Sequence, residues 1–84
     1  MIFYYVYLIK SLKDGTYYIG YTSKLNQRLK EHNQGKTKSI KHKIPFKLIY
    51  FEGYPNKTAA RKREIRLKKN SFEKEKLLQR LQNI

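Results

Sequence analysis

Cysteine and tryptophan are absent from this 84-residue chain, and only six residues are acidic. Without cysteine there is no disulfide framework and no cysteine-based zinc site, so the fold must rest on one compact core. No apolar run approaches the roughly 20 residues that cross a bilayer. The opening "MIFYYVYLIK" also lacks the basic n-region and small-residue cleavage site of a signal peptide. A cytoplasmic protein with no membrane contact is expected. At this length a single domain over 1–84 is expected, near the lower end of what folds without staples. What the chain does hold is 39% hydrophobic and 14% aromatic residues, which suit a small globular domain better than a disordered tail.

The shortage of acid is matched by an excess of base: 20 Lys and Arg against six Asp and Glu give a formal charge of +14. The excess is uneven. Residues 1–35 carry five basic and two acidic side chains (+3), and residues 36–84 carry fifteen and four (+11). With a pI near 10.1, this is the electrostatic footprint of a polyanion binder, with nucleic acid as the leading partner. A lysine-rich surface kept for solubility does not call for so lopsided a distribution.

Residues 2–9, "IFYYVYLI", are continuous β-branched and aromatic positions and read as a strand buried on both faces. Asp14-Gly15 is a hairpin turn signal, and "TYYIGYT" is the returning strand. Thr22 or Ser23 is placed to cap a helix running to about Asn33, with Leu25 and Leu29 on its inner stripe and Gly35 as its stop. A basic loop, "KTKSIKHKIP", ends at Pro45. "FKLIYFEGY" is a third strand, and "PN" leads into a helix from about Lys57 to Lys69. Asn70 with Glu73 makes a capping-box-like start for a last helix, with Phe72, Leu77, Leu78 and Leu81 facing inward. The expected class is α/β (α+β): a three-stranded, mainly antiparallel sheet flanked by helices, in the order β-β-α-β-α-α.

Parity within the hairpin bears on the phenols. Facing residues of an antiparallel pair have a constant number sum, and alternate residues share a face. If Asp14-Gly15 closes an even-length loop, that sum is odd. Tyr7, Tyr18 and Gly20 then lie on one face. Glycine within a strand marks a bulge or a close approach to the backbone.

These residues resemble the GIY-YIG nuclease superfamily. "YIG" stands at Tyr18-Ile19-Gly20, and the other half-motif has the form "YVY" at Tyr5-Val6-Tyr7, with Tyr5 where the motif has its first glycine. "NQRLKEHNQG" resembles the first helix of these domains, which supplies an arginine (Arg28) and, in many members, a histidine one turn later (His32). "TAARKREIRLKK" resembles the second helix, whose single glutamate (Glu64) is the family's metal ligand. The similarity is nearest to small stand-alone bacterial members and covers about 4 to 80.

The resemblance implies a metal-dependent DNA endonuclease, with a role in repair or recombination among the expectations. Hydrolysis of a phosphodiester needs an activated water, neutralised phosphate charge and help for the leaving oxygen. The implied catalytic set is Tyr7, Tyr18, Arg28, His32 and Glu64. Mg²⁺ or Mn²⁺, as a single ion, is the implied cofactor, with Glu64 as its protein ligand and water and phosphate filling the shell. Arg28 is suited to a phosphate oxygen through its planar fork, and His32 to the same phosphate or to a proton. One phenol is implied as the base, as its phenolate; Tyr7 is favoured, with Tyr18 positioning phosphate or water. An ordinary phenol ionises near pH 10, so nearby positive charge is expected to lower it.

Gly20, Lys30, Arg61 and Lys68 are the expected substrate-binding residues. His42, Glu52 and the remaining tyrosines are read as structural or as bystanders. DNA of unstated preference is the expected partner, with a separate protein supplying target recognition and a monomer as the working state. The competing readings are a non-catalytic nucleic-acid-binding module of the same fold and a basic, RNA-coating scaffold. Phosphate binding alone needs neither Glu64 nor paired phenols.

Overall fold

The computed structural model describes residues 2–82. Three strands, β1 (Tyr4–Ser11), β2 (Tyr17–Thr22) and β3 (Phe46–Tyr54), form one antiparallel sheet in the spatial order β2-β1-β3. Helix α1 (Leu25–Asn33) follows the hairpin, and α2 (Lys57–Lys69) and α3 (Ser71–Gln82) follow β3. The order β-β-α-β-α-α is the expected one. Because β1 is central, both of its faces are covered: Val6, Tyr7, Leu8 and Ile9 are all buried. Its limits differ from the expected 2–9. Ile2 and Phe3 precede the strand and are exposed, while pairing runs on to Ser11 against Phe46.

Asp14-Gly15 closes the hairpin as a four-residue loop, with Gly15 at φ 76° and the Ser11 amide donating to the Thr16 carbonyl at 2.8 Å. An even loop makes the pairing sum odd, and Tyr7 faces Gly20 while Ile9 faces Tyr18. A register irregularity between Leu8 and Ile9 shifts the pairing with β3 by one residue. It lets Phe51 oppose Tyr7 and Leu48 oppose Ile9, so apolar side chains of β3 stay on the same face on both sides of the shift.

The sheet is the middle of three layers. On one face Tyr7, Ile9, Ile40 and Phe46 are buried with Leu25 and Leu29 of α1 packed against them. On the other, Val6, Leu8 and Ile19 meet Ala60 and Leu67 of α2 and Leu77 of α3. Burying one such aliphatic side chain contributes about 1.5–3 kcal/mol. An ion-pair network ties this second layer down. Glu52 of β3 accepts from Arg63 Nε of α2 (2.6 Å) and from the Tyr50 and Tyr54 hydroxyls (2.5 and 2.6 Å). Burial opposes ionisation of Glu52, but these three donors together hold its carboxyl below the usual range.

The helix ends follow local chemistry, with two departures from expectation. The Asn56 side chain accepts the Ala59 amide (2.8 Å) at the start of α2, and Asn70 Oδ1 accepts from Phe72 and Glu73 before α3. Gly35, at φ 77°, ends α1 while the Lys36 amide returns to the Glu31 carbonyl, the six-to-one bond of a Schellman end. Neither Thr22 nor Ser23 caps α1, however. Its first flanking residue is Lys24, without a side-chain cap, because the Thr22 hydroxyl takes the Lys24 amide instead. Phe72 does not face inward: it is 69% exposed, its ring covered only by Lys76 Nζ at 5.5 Å, whereas Leu77 is buried and Leu78 and Leu81 pack at the core's edge.

Candidate active site

Tyr7 stands at the centre of the α1 face, and Gly20 is opposite it on β2. The Tyr7 ring crosses that glycine. A Cβ built on Gly20 would lie 2.6 Å from Tyr7 Cζ and closer still to the hydroxyl. Gly20 is itself buried. The expected role of Gly20 in substrate binding is thus corrected: the close approach it permits is that of the Tyr7 phenol, not of a nucleic-acid backbone.

The Tyr7 hydroxyl lies 2.7 Å from Nε2 of His32, and the other ring nitrogen of His32, Nδ1, is 3.1 Å from Thr37 Oγ1. His32 has no exposed surface. Its placement corrects the expectation that it bonds phosphate, since neither nitrogen is open to a ligand. Burial first, and the positive charge of Arg28 second, push its pKa down to about 4, so the ring is neutral at neutral pH. The Arg28 guanidinium approaches the Tyr7 oxygen from the same face of α1 and is held at 3.1 Å by Glu31. The expected lowering of the Tyr7 pKa is also corrected. Burial outweighs the hydrogen bond and charge of Arg28 and pushes the phenol up to about 12.

Glu64 comes from the opposite layer, on α2. It is 5% exposed, and each of its oxygens is held: Oε1 by Arg61 Nη1 and Oε2 by Lys68 Nζ, both at 3.2 Å. Lys68 also lies 5.4 Å from the centre of the Tyr18 ring, and that ring meets His32 edge-on at 5.3 Å. Since β2 is an edge strand, a side chain of α2 reaches round it to the α1 face. The five residues expected to be catalytic therefore meet in one connected arrangement at that edge.

Among the described residues no three His, Cys, Asp or Glu side chains gather as a metal-binding group. The donor set here is one carboxylate whose ion-pair partners sit on flexible, exposed side chains. That fits a hard divalent ion held mainly by water and phosphate oxygen, and does not fit a zinc-type cage.

A small cleft of about 100 Å³, lined by Thr22, Ser23, Lys24, Gln27, Arg28 and Glu31, opens beside Arg28. The larger concavity, about 520 Å³, lies toward Tyr5, Leu48 and Phe51 and contains none of the five. Of the five, the smaller one is lined by Arg28 alone. Lys30 is exposed and two residues from both Arg28 and His32; residues at that spacing do not share a helix face, so it lies apart from the Arg28–His32 face. Glu31 and Thr37 were not singled out by the sequence. The Arg28–Glu31 spacing of three is a signal for the first. Nothing local marks Thr37, which is brought in by the turn after α1.

The chain belongs to the GIY-YIG family: the GIY-YIG catalytic domain matches residues 3–77. This is a family of nuclease domains that generally use a divalent metal. Among particular relatives, a UPF0213 protein of Streptococcus pneumoniae is 42% identical over 66 residues, 77% of this chain and 66% of its own length. A UPF0213 protein of Clostridium perfringens is 44% identical over 66 residues, 77% and 70% of the two chains. The solution NMR structure of a UPF0213 protein from Bacillus halodurans has a TM-score of 0.58 at 34% identity, covering 95% of this chain and 85% of that one. No helix among the described residues is long and apolar enough to cross a membrane.

Proposed function

We propose that the chain is a divalent-metal-dependent DNA endonuclease whose base is the Tyr7 phenol working through His32. The observation that carries this reading is the 2.7 Å contact between a buried tyrosine and an imidazole kept neutral. As water attacks phosphorus, its proton passes to the Tyr7 oxygen while the phenol's own proton passes to His32 Nε2. The oxygen–phosphorus bond forms and the bond to the leaving alkoxide breaks. Tyr7 thus never needs to stand as a free phenolate.

Magnitude explains why this does not run at rest. The phenol is pushed up to about 12 and the imidazole down to about 4, so spontaneous proton transfer from one to the other is strongly uphill. A bound phosphodiester narrows that gap by placing negative charge near the imidazolium that forms. Arg28, one face of which opens on the small cleft, is placed to hold a non-bridging phosphate oxygen through its planar fork. Glu64 would hold the divalent ion, Mg²⁺ or Mn²⁺, which supplies charge neutralisation at the phosphate and acidifies the water. Arg61 and Lys68 lie at the same edge and face incoming phosphates. A role in repair or recombination accords with this chemistry, and the +14 charge accords with DNA as partner.

One observation favours a second reading, a non-cutting DNA-binding module: both oxygens of Glu64 are already paired, as they are in a purely structural glutamate. Glu64→Gln decides between the two. Cleavage of a panel of duplex, flap and single-stranded DNA with Mg²⁺ or Mn²⁺ is expected to vanish, while metal-free DNA binding is unchanged or tighter, since a negative charge has left the surface. Unchanged cleavage by the variant removes Glu64 as the metal ligand, and no cleavage by the wild type overturns the endonuclease reading.

A further inference from the structure

We infer that Thr37 is a positioning residue for the base: its hydroxyl oxygen accepts the Nδ1 proton of His32 and so keeps Nε2 bare toward Tyr7. The inference rests on the nuclease reading and adds a residue to it. The proton assignment follows from donor and acceptor inventories. Among the described residues the Tyr7 oxygen has two hydrogen-bond partners, Arg28 and His32. A guanidinium only donates, so the phenol proton has one acceptor, Nε2 at 2.7 Å. A neutral imidazole carries a single proton, which must then be on Nδ1, facing Thr37 Oγ1 at 3.1 Å.

The opposite tautomer would leave the pair idle. With its proton on Nε2, His32 would donate to the Tyr7 oxygen alongside Arg28, and the phenol proton would have nowhere to go as water is deprotonated. Thr37 disfavours this by giving the Nδ1 proton a neutral acceptor in a buried setting. A carboxylate in its place would favour the charged imidazolium at rest and use up the acceptor before the reaction begins. A hydroxyl accepts the Nδ1 proton that the Arg28–Tyr7 contact leaves there and keeps the ring uncharged.

The fold holds Thr37 for this task from both sides. The Lys36 amide before it closes α1 on the Glu31 carbonyl, and the Thr37 carbonyl accepts the amide of Ile40, whose side chain is buried in the same cluster as Tyr7.

Long-range ¹H–¹⁵N spectra of the free protein read which His32 nitrogen bears hydrogen, and single-turnover cleavage reads the consequence. The wild type is expected to show Nδ1–H with a bare Nε2. Thr37→Val keeps the shape and removes the acceptor. It is expected to populate Nε2–H and to slow cleavage about 10- to 100-fold, by analogy with the loss when the partner that orients a metal-ligating histidine is removed, with DNA affinity unchanged. Thr37→Ser is expected to restore both readouts. A wild-type spectrum with the proton on Nε2 overturns the role whether or not the Val variant folds. So does a Val variant with the wild-type tautomer or the wild-type rate. A wild type that cuts no DNA with either metal overturns the nuclease reading, and this role with it.

Discussion

Gly20 and Tyr7 face each other across the hairpin, and a methyl group added to Gly20 would land in space the phenol already fills. Gly20→Ala must push the ring off its contact with His32. Overpacking of this kind costs about 1–3 kcal/mol, so urea unfolding should show that loss and cleavage should fall with it. Normal activity and stability would mean that the ring has another resting place. The strand glycine was legible in the sequence as a close approach, but not what approaches, because the partner is set by a register spanning a turn.

His32 gives a pH signature. Its folded pKa, about 4, lies below the ordinary 6.5, so the unfolded chain takes up protons first as the pH falls. Stability is fully present above about 6.5 and is lost between there and 4, on the order of 3 kcal/mol at about 1.4 kcal/mol per unit. Chemical unfolding across that window should show the decline, and His32→Asn should flatten it. Tyr7 acts at the other end. Its raised pKa, about 12 against 10, costs stability as the pH climbs from 10 to 12.

At the scale of elements, β3 and α2 lie where the sequence places them, over Phe46–Tyr54 and Lys57–Lys69. In β3 the continuous apolar and aromatic stretch Leu48–Phe51 lies in a segment bounded by Pro45 and Pro55, and in α2 Asn56 caps a segment free of glycine and proline. Such local signals survive folding because tertiary contacts reinforce them. The start of β1 and the facing of α3 were less legible, since both depend on which neighbour covers a side chain. Phe72, in the first turn of α3, falls outside the reach of the sheet, and Leu77 lands on it. Leu67→Ala, in α2, should cost about 2–5 kcal/mol. Phe72→Ala should change stability by less than about 0.5 kcal/mol, as thermal melts would reveal. A large effect at Phe72 would require that its ring be covered.

Taken whole, the molecule builds its candidate site from two layers that meet round an edge strand. Tyr7, Tyr18, Arg28 and His32 belong to the α1 face, and Glu64 belongs to α2. The residue types of this set were legible from motif order; their division between layers was not, because it needs the strand order β2-β1-β3. Arg61 and Lys68 cannot grip Glu64 and a DNA phosphate at once. When DNA draws them away, the carboxylate is released for a divalent ion, and when the ion takes the carboxylate, the two cations are released for DNA. Each ligand should therefore raise the affinity for the other by the same factor, typically 5–150-fold. Mn²⁺ titrations of a Tyr7→Phe variant, with and without DNA, should show that rise. Arg61→Ala with Lys68→Ala should bind Mn²⁺ more tightly without DNA and gain less from adding it. The free protein, on this account, is a latch closed by its own charges, which either partner loosens for the other.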